Sequence, residues 1–290
     1  MGRTLRPLLL FTDHGDCYDG TMSASNLQKM AAAVQHSSVA QIARPRLLMP
    51  ESSAAKGQAV LLIHGYTGGP HDMGYLAQRL QEAGYLVSVP RLPGHGTSLE
   101  DFLQSDAHDW LRASLDAFLD LKSEGLPVHI AGLSMGGVLT AILAAYLSPK
   151  SAILAAPALL TSNPILPLTP FLKLFIRKWE RKRKKPYKDP ELTPLADEYG
   201  RFYTPATAAE LYKLQKFGRK TLKKITVPVF TISSKKDRAV PAKVASFVSS
   251  SVASQVKEEL VLTESPHVVV NDCEKERVAD AIIDWLDRQD

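Results

Sequence analysis

The sequence predicts an α/β fold: a mainly parallel central sheet with helices on both faces and a helical insertion between two late strands. Three observations carry this. From residue 57 onward, short apolar runs of strand length alternate with longer segments of helical pattern. Residues suited to chemistry follow several of those runs, where a parallel sheet places its working groups beyond the strands' carboxyl ends. Gly132-Leu133-Ser134-Met135-Gly136 joins one such run directly to a helical segment rich in Ala and Leu.

The elements follow in order. Residues 1–56 form an N-terminal extension in which 23–42, rich in Ala and Gln, could be helical. Residues 58–63 read as an apolar strand, followed by the loop His64-Gly65-Tyr66-Thr67-Gly68-Gly69-Pro70 and a helix over 71–83. His71 and Asp72 begin that helix, with the carboxylate near its positive end. A helix over 108–124 precedes a strand at 127–131, and the helix at 135–147 comes straight after the glycine-rich turn. Strands at 152–156, 227–233 and 259–263 alternate with helices at 242–252 and 273–286. The core is therefore read as 57–156 with 225–290, and 157–224 as an insertion.

A G-x-S-x-G between a strand and a helix is a nucleophile elbow. The tight turn strains the serine backbone, and glycine at the flanking positions lets strand and helix approach. The Ser134 hydroxyl is then offered beside a helix N-terminus, which favours developing negative charge. Acyl transfer also needs two N–H donors aimed at the carbonyl oxygen as it becomes an oxyanion. The Met135 N–H supplies one, and the Tyr66 N–H in the glycine-rich loop the other. Asp237 sits in the loop after the 227–233 strand and His267 in the loop after the 259–263 strand. Each residue alone would read as an ordinary loop residue. The order Ser, Asp, His, each after its own strand, is that of a serine hydrolase triad.

These stretches resemble the α/β-hydrolases of the carboxylesterase and monoacylglycerol lipase type, small bacterial esterases with a modest cap. The resemblance rests on residues 62–68, on Arg91-Leu92-Pro93-Gly94-His95-Gly96-Thr97-Ser98, on 131–137, on Lys236-Asp237-Arg238-Ala239-Val240-Pro241 and on Ser265-Pro266-His267-Val268. It runs from about residue 58 to the C-terminus, loosely after Pro157, and leaves the first 50 residues unmatched. It implies Ser134 as nucleophile, His267 as general base, Asp237 as orienting acid, and Tyr66 and Met135 as oxyanion donors. It implies no cofactor and no metal. Pro266 stands where relatives often carry Gly, and Met135 where proline iminopeptidase relatives often carry Trp, which argues against peptidase action. His95 would lie at the pocket rim in a structural hydrogen bond.

Composition agrees. The chain has 290 residues, 45% of them hydrophobic and 22% charged, enough to bury one full core. Two distant cysteines, Cys17 and Cys273, argue against a disulfide framework and for a reducing, cytoplasmic setting. The run Leu8-Leu9-Leu10-Phe11 is too short for a signal-peptide core, and Arg6 breaks the myristoylation pattern of Gly2. Four prolines interrupt the uncharged stretch 151–172, which excludes a spanning helix. Asp13, His14 and Asp16 have no metal-loop spacing and read as a solvated turn.

The net charge of +5 is local: residues 177–224 hold fifteen basic and six acidic side chains, so the rest of the chain is at −4. Within the insertion, Phe171, Leu172, Phe175, Ile176 and Trp179 are spaced as one helical face, with Arg177, Lys178 and the run 181–185 after it. The simpler reading is a cap helix packed on the body and lining an acyl pocket. The sharper one is an interfacial helix whose basic collar is drawn to anionic lipid. No nucleic-acid reader motif accompanies the run.

The expectation is a cofactor-free serine hydrolase of short- or medium-chain esters or monoacylglycerols, acting on a small-molecule ester. Esterases for aromatic acyl groups such as hydroxycinnamates, lysophospholipases and acyltransferases share the triad and are the rivals. A ligand-binding protein on the same scaffold is the non-enzyme rival, against which an intact triad counts. The sequence carries no sign of oligomeric state.

Overall fold

The computed structural model describes residues 24–35, 38–180 and 202–289. Among them a seven-stranded sheet runs β1 (Arg46–Leu48), β3 (Leu86–Val89), β2 (Ala59–Ile63), β4 (Val128–Leu133), β5 (Ala152–Ala155), β8 (Val229–Ser234), β9 (Lys257–Leu262). Only the β1–β3 pairing at the edge is antiparallel; β3, β2, β4, β5, β8 and β9 pair in parallel.

Strand β2 shows why the sheet is buried on both faces. Ala59, Leu61 and Ile63 point into one apolar cluster, Val60 and Leu62 into the other, and all five are fully buried. Over the first face lie α4 (Ala107–Ser123), α5 (Met135–Leu147), α7 (Pro205–Thr221) and α8 (Val244–Ser251), contributing Trp110, Leu139, Leu214 and Val248. Over the second lie α2 (Gly74–Glu82) and α9 (Lys275–Asp287), whose Leu76, Leu80, Ile282 and Trp285 fill the other cluster. Each such side chain contributes about 1.5–3 kcal/mol on leaving water. Helix α5 is buried from Met135 through Ala144, which its nearly polar-free sequence allows.

Helix α4 begins at Asp106, whose carboxylate accepts from the His108 and Asp109 N–H groups while Asp109 reaches back to the Asp106 N–H. In the N-terminal extension, α1 covers Ala24–Val34 and ends well before residue 42; a 3-10 turn at Gln41–Ala43 leads into β1. The short helix α3 (Leu99–Gln104) lies beside α1.

The insertion departs from the sequence reading. Residues 171–179 are not one helical face: α6 spans only Thr169–Leu172, and Trp179 belongs to β6 (Trp179–Glu180), paired with β7 (Phe202–Tyr203). The backbone turns at residues 173–175, which ends α6, and Trp179 stacks on Tyr203 at 4.4 Å instead. Leu172, Ile176 and Trp179 are half-buried, whereas Phe171, Leu174 and Phe175 are 64%, 69% and 72% exposed and so do not line a buried acyl pocket. The basic run 181–185 lies outside the described residues, as do Cys17, the 8–11 run and the Asp13–His14–Asp16 cluster. The chain returns through α7, which packs on α5, where Gln215 Nε2 donates to the Ala158 carbonyl at 2.8 Å and Arg219 to the Leu159 carbonyl at 3.0 Å.

Candidate active site

Ser134 links β4 to α5 with φ 56° and ψ −112°, a left-handed conformation for a residue that carries a Cβ. The surroundings hold it there: its N–H donates to the Ala155 carbonyl at 2.9 Å, and its carbonyl accepts from the N–H groups of Ala158 at 3.0 Å and Val138 at 3.2 Å. Gly136 makes the turn sterically feasible, because a Cβ there would lie 2.0 Å from the Ile63 carbonyl oxygen of β2. The helix thereby starts against the neighbouring strand, with Ser134 at its N-terminus.

Asp237 and His267 arrive from the ends of β8 and β9. Ser134 Oγ is 2.8 Å from His267 Nε2, and His267 Nδ1 is 2.7 Å from Asp237 Oδ2. The second carboxylate oxygen of Asp237 accepts the N–H groups of Ala239 at 2.7 Å and Val240 at 3.0 Å, so its orientation is set by its own loop. The Asp237 side chain is 1% exposed and that of His267 28%, so the acid is sequestered while the imidazole faces the opening. An ionised carboxylate only accepts, so Nδ1 carries the proton toward Asp237 and Nε2 presents its lone pair to the serine hydroxyl.

The glycine-rich loop after β2 lies against the serine. A Cβ on Gly65 would sit 3.2 Å from Ser134 Cβ, which puts the His64–Gly68 segment beside Oγ, with Tyr66 next along. His64 is fully buried and anchors the loop: its Nε2 accepts the Leu92 N–H at 3.0 Å, so Nδ1 carries the proton and donates to the Gly65 carbonyl at 3.0 Å. Burial, reinforced by the neighbouring His95, holds His64 neutral far below the ordinary imidazole range. Asp72 closes the loop's other end, accepting the Gly69 N–H at 3.3 Å, and burial raises its carboxyl despite the opposing pull of His71. Met135 is the buried first residue of α5. The structure thus brings Ser134, His267 and Asp237 into one hydrogen-bonded chain, and sets the loop of Tyr66 and the helix start at Met135 beside it.

The sequence reading did not find Glu274. Its Oε2 accepts the N–H groups of Glu264 at 3.0 Å and Ser265 at 2.8 Å, bracing the loop that carries His267. Burial opposes its charge, but those N–H groups, Ser265 Oγ and Arg277 outweigh it and hold the carboxyl below the usual range. The Ser265 carbonyl accepts a further bond from Ser234 Oγ. His95, as expected, makes a structural bond, its Nδ1 lying 3.0 Å from the Pro93 carbonyl.

The family described as serine aminopeptidase, S33, matches residues 54–274, a span holding the whole arrangement. The chain belongs to this family. This S33-family α/β hydrolase is 31% identical over 237 residues to a thermostable monoacylglycerol lipase of Bacillus sp. (strain H-257), covering 78% of this chain and 89% of that one. It is 27% identical over 254 residues to a carboxylesterase of Bacillus subtilis (strain 168), covering 84% and 99%. A solved structure of the metagenome-derived lipolytic enzymes LipS and LipT superposes with a TM-score of 0.76 at 25% identity, covering 87% of this chain and all of that one.

Asp106, His108 and Asp109 are the cluster of metal-capable side chains among the described residues, and the Asp106 carboxylate there caps α4. No helix among the described residues is long and apolar enough to cross a membrane.

Proposed function

We propose that this carboxylic ester hydrolase cleaves short- to medium-chain acyl esters and monoacylglycerols through an acyl-enzyme on Ser134. The observation that carries the reading is the Ser134–His267–Asp237 chain, at 2.8 and 2.7 Å, built on a strained strand-to-helix turn. His267 Nε2 takes the Ser134 proton as Oγ attacks the ester carbonyl. The tetrahedral oxyanion is received by the Met135 and Tyr66 N–H groups, at the positive end of α5. Asp237 stabilises the imidazolium, which returns its proton to the departing alcohol. Water activated by the same imidazole then releases the acid and restores Ser134.

Residues 157–224, inserted between β5 and β8, act as the cap in this reading. The exposed Leu168, Phe171, Leu174 and Phe175, with Lys173, Arg177 and Lys178 among and after them, support docking of this cap on an anionic lipid–water surface. That two relatives are named as a monoacylglycerol lipase and a carboxylesterase supports ester rather than peptide substrates for this chain.

The test is turnover of p-nitrophenyl esters from acetyl to palmitoyl, alongside 1-monoacylglycerols, methyl ferulate and an aminoacyl p-nitroanilide. A short- to medium-chain optimum with monoacylglycerol turnover is expected. Preference for the ferulate would reassign the acyl pocket to aromatic acids, and preference for the anilide would reassign the enzyme to peptides.

A further inference from the structure

The side chain of Tyr66 leaves the loop beside Ser134 and ends at the return leg of the insertion. Its Oη lies 2.7 Å from Thr207 Oγ1 and 3.4 Å from Thr204 Oγ1, and the two threonine hydroxyls are 2.5 Å apart. Thr204 directly follows β7 and Thr207 is in the first turn of α7; they are 2% and 1% exposed. Thr207 Oγ1 is also 3.3 Å from the Thr204 carbonyl. With Thr207 donating to that carbonyl, Tyr66 can donate to Thr207, so the cluster is satisfied internally. The Tyr66 ring meanwhile packs on Phe102 at 5.4 Å and Trp110 at 6.1 Å. Phenylalanine would keep the ring packing, and the phenolic oxygen supplies the tie to Thr204 and Thr207 at the start of α7.

We infer that Thr207, together with Thr204, is a positioning residue for the oxyanion loop, and that Tyr66 is the link by which the insertion sets that loop. The inference rests on the reading of the Tyr66 N–H as an oxyanion donor. A donor must sit within about half an ångström of its productive place, and a misplacement of about 1 Å costs on the order of a hundredfold in rate. A side chain pinned at both its ring and its hydroxyl fixes the main chain from which it grows. The same tie means that a shift of the β6–β7 ribbon or of the start of α7 is felt at the oxyanion site.

The experiment compares Thr207→Val, which is isosteric but lacks the hydroxyl, with Thr207→Ser, which keeps it, and with Tyr66→Phe. On p-nitrophenyl butyrate, kcat is expected to fall about tenfold in Thr207→Val and in Tyr66→Phe, below the full loss of an oxyanion donor, with KM changed less than about twofold. Thr207→Ser should restore kcat to within about twofold of the parent. Inhibition by an alkyl trifluoromethyl ketone, which forms a tetrahedral adduct with the serine, should weaken in step with kcat/KM. Unchanged kcat in Tyr66→Phe, or a loss confined to KM, would overturn the inference. Tyr66→Phe keeps the ring packing, so it decides the matter even if Thr207→Val fails to fold. Ser134→Ala is run beside them: turnover surviving there would remove the serine-hydrolase reading itself, whereas its loss with unchanged Tyr66→Phe would remove only the link.

Discussion

A serine at φ 56° and ψ −112° costs about 1–3 kcal/mol, and the hydrogen bonds to Ala155, Ala158 and Val138 keep it in place. Glycine adopts such a backbone without a Cβ clash. Ser134→Gly and Ser134→Ala should therefore both lose turnover, while the glycine variant is the more stable by about 1 kcal/mol in urea unfolding. Equal midpoints would contradict the strain. Asp237→Asn should lower kcat by about 10³–10⁴, because the amide can donate to Nδ1 and reverse the imidazole tautomer; far-UV circular dichroism should not change. Burial pushes His95 down to about 4. Between pH ~6.5 and ~4 the unfolded chain then binds the proton that the folded protein refuses, so stability falls as pH drops, by up to about 3 kcal/mol at pH 4. In His95→Phe, the acid limb of a urea-midpoint profile should be flatter than in the parent. Ser134, Asp237 and His267 could be singled out in the sequence because each residue type suits the proposed triad and each follows a strand-like run, and the structure sets them within hydrogen-bond distance of one another. Glu274 and the tautomer of His64 could not be, because they depend on which main-chain N–H groups a side chain meets after folding.

At the scale of elements, periodicity served where an element packs on the sheet. Helix α5 coincides with the expected 135–147, and α4 is displaced by one residue from 108–124. Two strands escaped notice: β1, whose three residues are exposed or half-buried and show no apolar face, and the buried β3, whose four-residue run is too short to stand out. The insertion was misread because apolar residues at helical spacing do not by themselves make a helix: the backbone turns at 173–175, and Trp179 is taken up by the β6–β7 pairing and its stack on Tyr203. The cap of α4 offers a clean check. Asp106→Ala removes an acceptor from two N–H groups and should cost about 1 kcal/mol, seen in urea unfolding at pH 7, with kcat unchanged.

For the molecule as a whole, the sheet carries Ser134, Asp237 and His267 at one end and the insertion departs from that same end, so the least legible segment adjoins the candidate site. The exposed aromatic pair Phe171 and Phe175, with ring centroids 5.2 Å apart, tests the surface reading. Phe171→Ser with Phe175→Ser should weaken sedimentation with phosphatidylglycerol vesicles several-fold and leave p-nitrophenyl butyrate turnover within about twofold. Unchanged vesicle binding would leave the patch without a lipid role. The central claim is that Ser134 is the nucleophile, and covalent labelling addresses it most directly. After treatment with a fluorophosphonate, intact mass and peptide mapping should show one adduct, on Ser134, rising in proportion to the loss of ester turnover. Full activity in protein labelled at Ser134, or inactivation with the adduct on another residue, would contradict the account.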